Sequence, residues 1–316
     1  MQTALPLGLL AWVLVAGLAI RIEGIRQTDQ TSFTGQPLID DAYFYAALGR
    51  NLADGHGPRV DAEHYTTGFQ PLWGFLSALP YLLLPDEHGI TALQAMGVAV
   101  GALTCLVIYG LAIRMTDSRW LALIPAGLWF VAPHSMLHNL GGMETALAIL
   151  AQMLMFLSLY RLYETGTRRW WVLHGLACGF GFLARVDSAV LVAAMGALLA
   201  LFPPGEGRPL RERARRLATW GGVVLMVALP WLIFTTAWGK PPPARERRGG
   251  AYAGQVHWLS GGARADPASL SGARPHLCGL LREQFLLVPE RLYHAALELG
   301  CRRAARPDLA RPHPSG

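Results

Sequence analysis

Apolar runs at or near membrane length follow one another down this chain, at residues 4–22, 69–85, 90–113, 120–137, 143–162, 170–184, 188–202 and 217–238. About 20 predominantly apolar residues make a helix long enough to cross the hydrocarbon core of a bilayer, so the pattern predicts an all-α bundle of membrane helices. One segment, 38–58, breaks it with polar and acidic residues. Within that segment Phe44, Leu48 and Leu52 recur at i, i+4 and i+8, with Ala47 and Asn51 beside them, which predicts a short amphipathic helix suited to a membrane surface. Asp40 and Asp41 stand just before it, and Gly55, Gly57 and Pro58 end it by turn chemistry.

The loops between the runs alternate in basic content. Arg114 with Arg119, Arg161 with Arg168 and Arg169, and the cluster from Arg208 to Arg216 are strongly basic. The loops around Asp86, from His134 to Gly142, and from Arg185 to Asp187 carry one Arg among them. The excess of positive charge on cytoplasmic loops puts the first set inside and the second set outside, with the N-terminus inside. This parity survives only if the run 69–85, interrupted by Pro71 and Pro80 and closed by Pro85, is re-entrant or juxtamembrane. About seven crossings remain, and the Asp40 loop, the His134–Glu144 loop and the Arg185 corner share the outer face. The first run lacks a basic segment before it, which favours an anchor over a cleaved signal. Residues 170–202 are short for two full crossings, so Arg185 and Asp187 are expected to turn below the membrane surface, where a charged pair must face protein or water.

Composition agrees: 53% of the 316 residues are hydrophobic, 15% are charged and the mean hydropathy is +0.31, values of a polytopic membrane protein rather than a soluble one. The net charge of +6 does not mark a nucleic-acid partner, because residues 1–239 hold 15 Arg against 15 acids and the remainder holds 12 basic residues against 6 acids. Two regions follow: a transmembrane module, 1–239, with an external loop over 23–89, and an Arg/Pro/Gly-rich tail, 240–316. Apart from an amphipathic stretch at 277–299, the tail reads as disordered. A single lysine, Lys240, against 26 arginines suggests a GC-rich coding sequence, in which such a tail is also what a shifted reading frame yields, with the native continuation missing. Cys105, Cys178, Cys278 and Cys301 have no metal-ligand or disulfide-framework spacing.

Several residues can carry chemistry. One carboxylate suffices to cap a helix, so of Asp40 and Asp41 one is left for work as a general base or metal ligand. Glu144 starts an apolar helix, where the dipole favours an acid. His134 and His138, at i and i+4, are possible ligands of a divalent metal if helical. Arg185 and Asp187 form either a self-compensating turn pair or a phosphate contact, for which an always-charged guanidinium is suited. Tyr43, Tyr45, Phe69 and Trp73 either line a sugar or lipid path or anchor the interface. Arg50, Asn51 and His64 have no assigned role.

The string DDAYFYAALGRNLADGHGP, followed in order by TTGFQPLW at 66–73, GMETAL at 142–147 and FLARVDS at 182–188, resembles the GT-C superfamily of polyprenyl-phosphate-sugar-dependent glycosyltransferases, among them protein O-mannosyltransferases and aminoarabinose transferases. The resemblance covers roughly residues 40–238. It implies a multi-pass enzyme of the cell inner membrane that moves a sugar from a polyprenyl phosphate to a hydroxyl acceptor on a lipid, glycan or protein. It further implies that Asp40 is the catalytic base with Asp41 in the second acidic place, that Glu144 shapes the site or supports a metal, and that Arg185, flanked by Asp187, contacts the lipid-linked phosphate. Thr67 stands where the family commonly has Asn, and the tail matches neither the further membrane helices nor the external domain of family members. The rival classes are a lipid or solute transporter, which would bind cargo with the same acids and Arg185, and an inactive truncated product.

Overall fold

The computed structural model describes residues 4–26, 40–61, 65–205 and 209–238; the tail and its expected features lie outside the described residues. Among the described residues the chain is helical: α1 (Ala4–Arg26), α2 (Asp40–Ala53), α3 (Pro71–Leu76), α4 (Ala78–Leu83), α5 (Gly89–Thr116), α6 (Arg119–Val131), α7 (Pro133–Leu140), α8 (Thr145–Thr165), α9 (Arg168–Ala184), α10 (Ala189–Leu201) and α11 (Leu210–Trp238). The expectation of about seven crossings is corrected. Among the described residues four segments are each long and apolar enough to cross a membrane: Leu5–Arg26, Asp86–Thr116, Thr145–Thr165 and Leu210–Ala237. A fifth crossing exists if α6 and α7, bent by 56° at their junction, act as one span. Helices α9 and α10 follow predicted runs, but their 17 and 13 residues reach only about 25 and 20 Å at 1.5 Å per residue. The run 69–85 becomes two six-residue helices joined at Ser77, in keeping with a segment that does not cross.

The α6–α7 break has a local cause and a distant partner. Pro133 has no N–H to continue the ladder, and Ala132 before it is extended at φ −62° and ψ 130°. In hydrocarbon the freed carbonyls must find donors within the protein. Arg21 of α1, fully buried, reaches one of them: one amino group donates to the Phe130 carbonyl at 2.7 Å and to Ser135 Oγ at 3.1 Å, and the other donates to Gly17 O of its own helix at 3.1 Å. Its guanidinium also stacks 4.0 Å from the centre of the Phe130 ring.

Over one end of the bundle α2, α3 and α4 form a cap. Leu48 and Trp73 are fully buried, and with Tyr45, Phe69, Leu93, Leu147 and Trp231 they form one apolar core beneath it. The apolar stripe of α2 therefore packs on protein rather than lying on a membrane surface, because α3 and α4 fold back beneath it. The turn after α2 places Gly55 and Gly57 at φ +76° and +82°, values that side chains resist. Asn51 donates to the Arg59 carbonyl at 3.0 Å and so closes that turn.

Helix contacts depend on small residues, as expected where apolar surroundings offer helices no hydrophobic drive to associate. At Gly97 of α5 an added Cβ would overlap the Asn139 carbonyl, and at Gly101 it would overlap the Asn139 amide. The first neighbour is backbone, which cannot give way without shifting α7, and the second belongs to a fully buried side chain. Gly97→Ala is expected to cost about 1–3 kcal/mol by forcing α5 and α7 apart. Thermal denaturation in detergent measures this, and an unchanged midpoint would show that the two helices are not packed so closely.

Candidate active site

The predicted site residues come from four elements that meet at the capped end of the bundle. Asp40 and Asp41 are the first two residues of α2. The Asp40 side chain falls outside the described part of the structure; Asp41 is exposed and Tyr43 half-buried. Helical spacing puts Asp41 on the same face as Tyr45, one turn further on. The buried Tyr45 hydroxyl lies beside the carboxylate of Glu144, the residue immediately before α8. Burial pushes the Tyr45 phenol well above its ordinary range; the Gln70 amide opposes this, while the carboxylates of Glu144 and Asp41 add to it. Tyr45 is thus a neutral hydroxyl at working pH, able to donate. Glu144 is 6% exposed, and its Oε2 is buried without a hydrogen-bond partner. A carboxylate left so is costly by itself and suited to a polar ligand.

Gln70 joins this acidic cluster to the Arg185 corner, and sequence reasoning passed over it. Its N–H donates to the Tyr45 hydroxyl at 3.2 Å, and its Oε1 accepts from the Val186 N–H at 2.9 Å. It sits just before α3, whose first residue is Pro71; the sequence signal was that Gln-Pro step ahead of an apolar run. Trp73, considered for the sugar or lipid path, instead holds the second loop: its indole N–H donates to the Gly142 carbonyl at 3.1 Å. Gly142 adopts φ +68°, which lets the chain turn sharply into Glu144.

At the corner itself, α9 ends in extended backbone at Arg185 and a short 3₁₀ turn, Val186–Ser188, leads into α10. Arg185 Nε donates to both carboxylate oxygens of Asp187, at 3.0 and 3.2 Å. The pair engages only Nε, leaving the two terminal amino groups for an incoming anion. Beside it a groove of about 550 Å³ runs between α8 and α10. Arg185, Asp187, Ser188, Thr145 and Gln152 supply its polar positions, and Ala148, Ile149, Val190, Leu191 and Ala194 its apolar wall. Gln152, also missed from sequence, donates to Ser188 Oγ at 3.4 Å.

His134 and His138 lie one turn apart on α7, ring centres 5.6 Å apart, and His138 feels the charge of Arg185. The described residues contain no group of three or more His, Cys, Asp or Glu able to hold a metal. Among the described residues the His134–His138 pair therefore has no third ligand of these types for a divalent metal. Asn51 and Arg50 serve the fold: Asn51 as above, and Arg50 in an ion pair with Asp86 at 2.9 Å. His64 lies outside the described residues.

An apolar helical bundle that gathers Tyr45, Gln70, Glu144 and Arg185 at one end, beside a groove, is the build of a multi-pass membrane protein with a polar site. Residues 70–234, just over half of the chain, match the family described as dolichyl-phosphate-mannose-protein mannosyltransferase, and the chain belongs to that family, of GT-C type. The matched stretch includes Gln70, Trp73, Glu144, Arg185 and Asp187 and begins after Asp40, Asp41 and Tyr43. No curated protein and no solved structure matches the chain.

Proposed function

We propose that this glycosyltransferase moves a sugar, mannose or one like it, from a polyprenyl phosphate donor to a hydroxyl acceptor on a lipid, glycan or protein. The reaction occurs at the external face of the cell inner membrane, within a catalytic module spanning 1–239 and its external loop 23–89, and it inverts the anomeric centre. The groove between α8 and α10 is the observation that supports this most directly. It combines the Arg185 guanidinium and other polar groups with an apolar wall from α8 and α10, which suits a ligand that joins a charged head to hydrocarbon.

The acceptor oxygen attacks the anomeric carbon from the face opposite the phosphate. Asp40 takes the acceptor proton, a new glycosidic C–O bond forms, and the bond from the anomeric carbon to the phosphate oxygen breaks. The electron pair leaves with the polyprenyl phosphate, beside the terminal amino groups of Arg185. Charge grows on that oxygen as the bond lengthens, so a fixed guanidinium stabilises the transition state more than the bound donor. Asp187 holds the guanidinium through Nε. Glu144, Tyr45 and Tyr43 surround the sugar, with Glu144 accepting from its hydroxyls.

The test is the full chain in liposomes with radiolabelled polyprenyl-phosphate-mannose and acceptor-bearing membranes. Label is expected to pass from lipid to acceptor. Label that stays on the lipid while the lipid crosses the bilayer would overturn this reading in favour of a transporter.

A further inference from the structure

Arg21 stands apart from the residues so far assigned. It lies within an apolar helix, is fully buried, and no carboxylate pairs with it among the described residues. An ionised group inside a membrane helix is costly to keep and commonly marks function. Its cost is offset by Gly17 O on its own helix and by two acceptors that belong to a single feature, the α6–α7 break. Phe130 O lies before the break and Ser135 Oγ lies after it, and one amino group of Arg21 reaches both. Ser135 Oγ in turn donates to the Ala132 carbonyl at 3.0 Å, inside the break itself. Arg21 thus fixes the angle at which the eight-residue α7 leaves α6.

The other end of α7 leads directly to the candidate site. The Leu140 carbonyl accepts from Gln94 Nε2 at 3.0 Å, the Gly142 carbonyl accepts from Trp73, and Glu144 follows at the start of α8. A short helix tied at both ends has one orientation. With its first end released it swings about its second pair of bonds, and residues 141–144, which join it to α8, must take up the change in backbone angle.

We propose that Arg21 is a positioning residue for catalysis: by clamping the α6–α7 break it holds the 141–144 loop, and with it Glu144, in register with Tyr45. The inference rests on the reading of Glu144 as an active-site acid. The test compares Arg21→Met and Arg21→Lys with wild type, using the full chain in nanodiscs. Amide hydrogen exchange across 133–145 is expected to quicken by about tenfold while the amides of α9 are unchanged. The turnover rate should fall by about tenfold with the donor KM within about twofold, the signature of a lost transition-state arrangement rather than lost binding. Lysine is expected to give no rescue, because an ammonium lacks the planar fork that spans two acceptors and stacks on a ring.

Unchanged exchange across 133–145 would overturn the inference, as would wild-type turnover in Arg21→Met when Glu144→Gln is impaired. Wild-type turnover in Glu144→Gln would instead overturn the reading of Glu144 itself. Should Arg21→Met fail to fold, Ser135→Ala removes one acceptor and leaves the arginine; faster exchange confined to the same segment supports the clamp, and unchanged exchange overturns it.

Discussion

Arg185→Ala is expected to lower the rate of sugar transfer by about 10²- to 10³-fold, the range seen when one preorganised donor to a developing oxyanion is removed. The loss should fall mainly on turnover, because the phosphate already carries charge in the bound donor and acquires more as the bond breaks. Stability is a poor rival explanation. The Arg185 and Asp187 side chains are 40% and 67% exposed, and ion pairs that open to solvent contribute about 0–1 kcal/mol. The variant should therefore keep its thermal midpoint, measured in the same detergent as the activity. Arg185→Lys separates charge from shape. Lysine keeps the positive charge but cannot pair with Asp187 through one nitrogen while offering two others to a phosphate. It should recover only part of the loss. Initial rates with labelled polyprenyl-phosphate-mannose decide the matter, and transfer at the wild-type rate by Arg185→Ala would remove the phosphate role from this corner.

What could be read from the sequence follows the range of the interactions involved. The apolar runs gave the helical class, and charge parity set apart the run 69–85, which folds into two six-residue helices. The course and end of α2 followed from its i, i+4 spacing and the glycines after it, whereas its start lies earlier than expected, with Asp40 and Asp41 inside the helix rather than before it. The count of crossings did not follow, because hydropathy reports composition and not continuity or helix length: Pro133 breaks the run 120–137 into α6 and α7, and the runs 170–184 and 188–202 form helices of only 17 and 13 residues. Arg21 was invisible as a special residue, since a lone arginine near the end of an apolar run looks like an interfacial charge. Only the fold brings it to Phe130 and Ser135.

The site shows the same division. Glu144, Arg185 and Asp187 could be named because charge inside or beside apolar runs is conspicuous. Gln152 is uncharged and occurs in an ordinary context, and the Gln-Pro step at Gln70 signals a helix start without naming its partners. Their roles arise from pairings across the fold, Gln70 with Val186 and Tyr45 and Gln152 with Ser188. The destination of the α2 stripe was likewise hidden. An amphipathic helix has the same pattern whether its apolar face meets lipid or protein, and α3 and α4 supply protein.

Asp40→Asn is expected to lower transfer by about 10²- to 10⁴-fold, the usual contribution of a general base, with donor affinity little changed. Asparagine preserves size and hydrogen bonding at the start of α2, so the helix should form as before. The loss has a second signature in pH. In wild type the rate rises as the base ionises, and this acidic limb should vanish in Asp40→Asn, leaving a slow, flat profile. Asp41 supplies the decisive comparison. Successive residues on a helix point about 100° apart, so the two carboxylates cannot serve one acceptor proton alike. Asp41 acts electrostatically on Tyr45, beside Glu144. Its replacement by Asn should therefore disturb the sugar site modestly, by about tenfold or less, and leave the acidic limb in place. The reverse pattern, with Asp41→Asn flat and slow and Asp40→Asn close to wild type, would transfer the base to Asp41. That result would put the reaction's proton on the face of α2 shared with Tyr45, with Glu144 as the acid next to the base.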